Sequence, residues 1–551
     1  MQIDRKLTNE SLDLKGSIYK RITNPFYLIA VALTALGAYG FYLTNPSPSI
    51  DWLSYDRYYS GMLFGQGRFT ATIVERVLNL WDCPVWFEPL LGLICFILGT
   101  LIMLAIFDGF TEYKSIVPSI VFSCIYISFP LLAEYFIYNG AILTVGGCTV
   151  LLSLALYFSI KYSDIWRCLI LPTVLMMFVF SWYECMILPY VGTVFAVFIL
   201  KERTENGIKT GEVISKGIFH AAVLVLGVVF ETVITKALIK IFSIEVNSFA
   251  RTQSFWTASI KAVKNLIRSY IAYWGLKVFC NPAFTVLFAA GIIFIILFIV
   301  NIKKTKNFSS FLLFLGGILP VFAMTLFRGG GAEYRTEQGM PFFVAFTAFL
   351  LCLNVQSGKS LAKKTFAALF VFTLIIQIGA LNKSYWINNQ RFEEEKTVIL
   401  TVNSRISENC DTNKPVVFIG GYKMSDHITD LTSVSDSSPL GKLINRLASG
   451  DSADKAKRKY DYIGRSYLDW SIKNSFDRDK PEDELYKFCN YIGVSFKHCT
   501  RAQYDEAYKM YSDIAPYPSK DCIVETDEYI AVKLKSKPPV QPAVCSTPKR
   551  G

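Results

Sequence analysis

Apolar residues in this chain come in long runs, one after another, with only short polar stretches between them. A hydrocarbon core about 30 Å thick is crossed by roughly 20 helical residues. A backbone that enters lipid must satisfy its own polar groups, which in such runs means a helix. The runs lie at 25–43, 84–107, 115–136, 140–160, 168–182, 186–200, 217–241, 281–301, 308–327, 341–356 and 365–386. They predict a polytopic α-helical membrane protein with about eleven crossings. Composition agrees: 52% of the 551 residues are hydrophobic and 18% charged, against about 25% charged in soluble domains.

Basic residues set the expected orientation. Residues 1–24 carry Arg5, Lys6, Lys15, Lys20 and Arg21, and read as a cytoplasmic N-terminus before an uncleaved first span. On that reading the inside loops hold Lys161 and Arg167, Lys201 and Arg203, Lys303 and Lys304, and Lys363 and Lys364. The turns around Asn139 and Glu184 fall outside and carry no Lys or Arg. The loop at 242–280 also falls outside, and its five basic residues weaken the bias without reversing it. The net charge of +12 is therefore a topology signal, and nucleic acid is not an expected partner. Two runs within 168–200 span only about 15 residues each, short for a full crossing, and read as a kinked pair or a re-entrant hairpin.

The transmembrane domain is expected over 25–387, with periplasmic loops at 45–83, 242–280 and 328–340. An odd number of spans places the tail outside. Residues 388–534 are enough for a small α/β or α+β domain. Strand-like runs occur at Val416–Ile419 and Tyr529–Leu534, and helical patterns at Ser438–Leu447 and Asp483–Ile492. The Pro-rich stretch 535–551 reads as disordered. Outside the cytoplasm disulfides form, and Cys489 with Cys499 is the pair to test. No CxxC pair and only three histidines leave no zinc set. No cofactor is expected, although a divalent ion held by carboxylates stays open.

Residues with chemistry concentrate on the outer side. The first loop carries Asp51, Trp52, Asp56, Tyr58 and Tyr59, then Gly65-Gln66-Gly67-Arg68. Aromatic faces stack on sugar rings, and a carboxylate takes a proton from an attacking hydroxyl; the same aromatics also suit a plain interfacial belt. Glu134, Tyr135 and Tyr138 precede a short turn, and Ser181-Trp182-Tyr183-Glu184 forms another. Arg328-Gly-Gly-Gly-Ala-Glu333-Tyr334-Arg335 offers two guanidinium forks for phosphate oxygens, or two snorkelling arginines at a glycine turn. The Walker pattern is absent. Outward carboxylates, arginines and aromatics together suit a sugar carried on a lipid phosphate, since nucleotide sugars are not supplied outside the cytoplasm.

Four elements in order, Tyr55-Asp56-Arg57-Tyr58, Gly65-Gln66-Gly67-Arg68, Glu134-Tyr135-Phe-Ile-Tyr138 and Ser181-Trp-Tyr183-Glu184, resemble the phage-type O-antigen (serotype-converting) glucosyltransferases, membrane enzymes of the GT-C type. The resemblance covers about 25–386. Tyr55 stands where that family has the first of two adjacent acids, and Glu184 stands where glutamine is usual. The resemblance implies transfer of glucose from undecaprenyl-phosphate-glucose to a lipid-linked O-antigen chain at the periplasmic face of the inner membrane. It also implies a separate donor-synthesising glycosyltransferase and a flippase as functional partners. In this frame Asp56 is the expected base with Asp51 as alternate, and Arg328, Arg335 and Arg68 hold the donor phosphate. Glu134, Tyr138, Tyr183, Glu184 and Trp52 then orient the sugars. The competing readings are a flippase or exporter of lipid-linked saccharides, and an O-antigen polymerase or ligase.

Overall fold

Each of the eleven apolar runs contains a helix, although not every one is long enough to cross a membrane. The computed structural model describes residues 12–49, 65–80, 83–111, 115–138, 141–162, 166–205, 208–243, 280–305, 308–321, 323–324, 334–356, 358–422, 424–425, 466–473 and 481–534. The helices of the membrane part are α1 (Leu14–Ile22), α2 (Pro25–Thr44), α3 (Phe69–Leu78), α4 (Phe87–Asp108), α5 (Val117–Ile127), α6 (Ala133–Ile137) and α7 (Ala141–Lys161). They continue with α8 (Ile170–Phe180), α9 (Ile187–Glu205), α10 (Thr210–Phe242), α11 (Cys280–Thr305), α12 (Phe308–Ile318), α13 (Gly339–Gln356) and α14 (Ser360–Asn409). Among the described residues eight helices are long and apolar enough to cross a membrane, or nine if α5 and α6 count as one bent span. A chain with so many apolar helices is a membrane protein. Of the awkward pair within 168–200, Glu184–Thr204 is long enough to cross, whereas α8 is a short apolar helix.

The chain separates into two compact units, residues 1–46, 56–384 and 434–459 in the first and 47–55, 385–433 and 460–551 in the second. The first is a helical bundle. One of its ends is fixed by Arg21, which is buried and donates to both carboxylate oxygens of Asp108 at 2.8 Å and to Ser119 Oγ at 2.8 Å. That fork ties the end of α1 to the last residue of α4 and the start of α5. Helices α4 and α7 meet at glycines. A methyl added to Gly92 would stand 2.5 Å from the backbone nitrogen of Leu143, and one added to Gly146 would strike the Gly92 carbonyl. Small residues at such a crossing let two helices in lipid pack backbone to backbone.

Helices α5 and α6 form one bent element, turning by 43° across a break before Pro130. A proline removes a helical donor and frees carbonyls. Here neighbours take them up. Tyr39 of α2 donates to the Ile127 carbonyl at 2.5 Å, and the Ser128 hydroxyl lies 2.7 Å from both the Cys124 carbonyl and Gln377 Oε1 of α14. The bend delivers Glu134–Tyr138 to the end of the bundle opposite Arg21.

The second unit contains a three-stranded sheet in the order β1-β3-β2, where β1 is Val416–Ile419, β2 is Ile523–Glu525 and β3 is Ile530–Lys533. Strands β1 and β3 are parallel with Val416 opposite Ile530, and β2 runs antiparallel to β3. All four residues of β1 are buried, as an unbroken apolar run predicts for a strand covered on both faces. Around the sheet lie α15 (Tyr467–Lys473), α16 (Asp483–Tyr491) and α17 (Arg501–Met510), which begins with a Thr500–Gln503 capping box. Two expectations change. The last apolar helix does not stop near residue 388 but continues as α14 to Asn409, because no glycine or proline interrupts residues 380–414. Cys489 and Cys499 are both free, and the Cys499 thiol turns to Glu482, 3.9 Å away, instead of to Cys489. The expected helix at 438–447, the loop at 242–280 and the stretch 535–551 lie outside the described residues.

Candidate functional site

Tyr135 is the point on which the separated stretches of the bundle converge. It sits on α6, fully buried, with its hydroxyl donating to the backbone carbonyl of Arg335. Gln338 Nε2 donates to the same hydroxyl at 2.9 Å and to the Arg335 carbonyl at 2.7 Å. The Tyr183 hydroxyl lies 3.3 Å away, and the two tyrosine rings meet edge to face at 5.9 Å. One phenol thus joins the 134–138, 181–184 and 334–338 stretches, which sequence separation keeps 48 and 200 residues apart.

The two arginines of the site rest on aromatic faces. The Arg335 guanidinium lies 4.4 Å from the ring centre of Tyr138, and that of Arg68 lies 5.7 Å from the ring centre of Tyr183. Both positive charges act on the Tyr183 hydroxyl. Stacking of this kind holds a guanidinium plane without consuming its N–H donors. The Arg68 side chain makes no hydrogen bond or ion pair with another described residue. A guanidinium fork has the geometry to bind an anion.

Arg68 is aimed from below by Gly67. That glycine has φ +81°, the left-handed region, and a methyl on it would stand 2.6 Å from Glu231 Oε1. Immediately after Arg68 begins α3, and the Thr70 hydroxyl pairs with that of Ser181. The loop is thereby stitched to the turn that carries Tyr183 and Glu184. Glu231 belongs to α10, which crosses α8 with Gly227 packed against Met176 and Phe180, and its carboxylate feels the charge of Glu184.

The structure thus brings together Arg68, Glu134, Tyr138, Tyr183, Glu184 and Arg335, all on stretches expected from the sequence. Asp51, Trp52, Asp56 and Arg328 lie outside the described residues. Among the described residues no three of His, Cys, Asp and Glu come together as a metal set. Sequence reasoning passed over Gln338 and Glu231 and gave Tyr135 no role. Glu231 had a signal: it is the single acid in the run 217–241.

Chemically, the site offers two cations on aromatic platforms and carboxylates within a residue or two of them. Cations suit a phosphate, aromatic faces suit a sugar ring, and carboxylates suit hydroxyl groups. No curated protein and no solved structure matches the chain. The family model described as Glucosyl transferase GtrII matches residues 40–378.

Proposed function

We propose, because the chain belongs to the Glucosyl transferase GtrII family, that this glucosyltransferase moves glucose from undecaprenyl-phosphate-glucose to a sugar of a lipid-linked O-antigen chain. The reaction takes place at the periplasmic face of the bacterial inner membrane and changes the serotype of the polysaccharide. The observation that carries this reading is the pair of arginines stacked on Tyr138 and Tyr183, within the span that the family covers.

In the proposed reaction the acceptor hydroxyl oxygen attacks the anomeric carbon of glucose. The bond from that carbon to the phosphate oxygen breaks, its electron pair leaves with the lipid phosphate, and the hydroxyl proton passes to a carboxylate. Asp56 is the proposed base, with Asp51 as alternate. Arg68, Arg335 and Arg328 hold the departing phosphate and stabilise the charge that grows on it. Glu134, Tyr138, Tyr183, Glu184 and Trp52 orient the sugars. Residues 25–387 form the transferase domain and 388–534 a periplasmic domain that faces the acceptor. A separate glycosyltransferase makes the donor and a flippase presents it.

The test uses membranes containing the full chain, radiolabelled glucosyl-phospho-undecaprenol and lipid-linked O-antigen. Wild type should move label into polysaccharide, Asp56→Asn should not, and expression and insertion should be unchanged. Transfer by Asp56→Asn at the wild-type rate would pass the role to Asp51. No transfer by well-inserted wild type from any lipid-phosphate sugar would overturn the reading.

A further inference from the structure

Glu231 is a carboxylate at this end of the bundle that the proposed reaction leaves without a task, and it lies directly against the loop that carries Arg68. It lies 21 residues, or about 30 Å of helix, beyond Thr210 at the start of α10. It follows directly on the apolar stretch Ala221–Phe230, and an acid is costly where it approaches lipid and needs a reason to be there. Its Oε1 accepts from the Thr235 hydroxyl at 2.7 Å and its Oε2 from that of Thr232 at 3.3 Å. A carboxylate offers about four acceptor sites, so two stay open among the described residues.

Its placement relative to Arg68 is informative. Oε1 lies against Gly67, whose missing side chain makes room for it. Arg68 is the next residue, roughly 3.8 Å along the chain between Cα atoms. Opposite charges that close would ordinarily pair. Instead Arg68 turns over Tyr183, and the carboxylate is held by threonine hydroxyls. Cation and anion thus diverge from adjoining points, Arg68 on the loop and Glu231 on α10. A glucosyl phosphate has that same polarity, with anionic phosphate at one end and hydroxyl donors at the other.

We propose that Glu231 is a specificity-determining residue that accepts hydrogen bonds from hydroxyls of the transferred hexose while Arg68 holds its phosphate. This rests on the glucosyl-transfer reading and adds a sugar-binding wall to it. Glu184, whose charge reaches Glu231, continues that wall. Glu231 is not the base in this scheme: its partners hold it beside Gly67, and its part is to select and orient the ring.

The experiment uses the full-length protein in lipid bilayers, with glucosyl-phospho-undecaprenol and a set of donors each lacking one sugar hydroxyl. In wild type, one deoxy donor should lose about 10- to 100-fold in kcat/KM, the range for a hydrogen bond to a charged group. Glu231→Gln should lose a similar factor on the complete donor and little more on that deoxy donor. Glu231→Asp, which keeps the charge one methylene shorter, should recover part of the activity and serves if the glutamine variant fails to insert. Losses that multiply for every deoxy donor, with an active wild type, would overturn the role of Glu231 and leave the transferase reading standing. An inactive wild type on every glucosyl phospholipid would overturn both.

Discussion

Tyr467 donates its hydroxyl to the backbone carbonyl of Pro48, a residue 419 positions earlier in the chain. Beside it, Asn388 Nδ2 donates to Ser47 Oγ at 2.5 Å. Tyr467 is itself gripped: the Arg391 guanidinium lies 4.9 Å from its ring centre, Phe488 stacks on it at 5.2 Å, and its backbone N–H donates to Glu395 at 3.0 Å. Ser47–Ser49 is thus an integral, buried part of the second unit.

From this follows a first prediction. Tyr467→Phe keeps the packing and removes only the donor, leaving the Pro48 carbonyl buried without it, at about 1–3 kcal/mol. Hydrogen exchange of the full-length protein should speed up in the peptide that contains Ser47–Ser49. Unchanged exchange there would show that the hydroxyl does not hold this segment.

Arg335 supplies the second. Arg335→Lys keeps the positive charge but loses the planar fork and the stack on Tyr138. Transfer assayed against donor concentration should fall roughly 10-fold in kcat/KM, as a lost charge-assisted contact predicts, with insertion intact. A lysine variant as active as wild type would mean that charge alone suffices at this position.

Two glycines of the bundle should respond in opposite ways. Gly146→Ala drives a methyl into the Gly92 carbonyl and should cost about 1–3 kcal/mol as the helices are forced apart. Gly211→Ala, in the first turn of α10 with open space around it, should be neutral or slightly stabilising. Yields and thermal aggregation of the two purified variants separate these outcomes, and equal behaviour would refute the close crossing of α4 and α7.

The fourth prediction concerns acidity in the second unit. Glu482 is buried against the Phe418 amide, Tyr486 and Cys499, and burial pushes its carboxyl up to about 8. The raised value means that the folded unit holds this proton more tightly than the unfolded chain. Its contribution is complete below the unfolded carboxyl range, near 4.3, and is lost as pH rises toward 8. Calorimetry of the full chain should show the unit weakening from pH 5 to 8, and Glu482→Gln should flatten that slope. An equally steep slope in the glutamine variant would place the titration elsewhere.

Much of the fold was legible because lipid imposes a simple code. A run such as 84–107 has no alternative to a helix, and Val416–Ile419 has none to a buried strand once flanked by turns. The bounds of α14 were less legible. A shift from apolar to acidic at Glu393–Glu395 marks a change of surroundings, whereas helix persistence depends on the absence of glycine and proline. At the site, the stretches could be read but their pairing could not. Nothing local to Arg335 announces that its carbonyl meets Tyr135, since that contact exists only after the helices between them have packed. Glu231 was missed for the opposite reason: the residues before it, Ala221–Phe230, are so apolar that the run reads as a plain span. Cys489 and Cys499 show the limit of spacing as a guide, because a buried carboxylate nearby claims one of the thiols.

The bend between α5 and α6 also says what evolution is free to change here. Each helical residue advances the chain by about 100° around its axis. Inserting or deleting a single residue between Ser128 and Ala133 would therefore swing Glu134, Tyr135 and Tyr138 away from their partners by more than a quarter turn, whichever residue was added or lost. The contact from Tyr39 to the Ile127 carbonyl, by contrast, is made to backbone and does not depend on which side chain residue 127 carries. What relatives must inherit across this segment is its length.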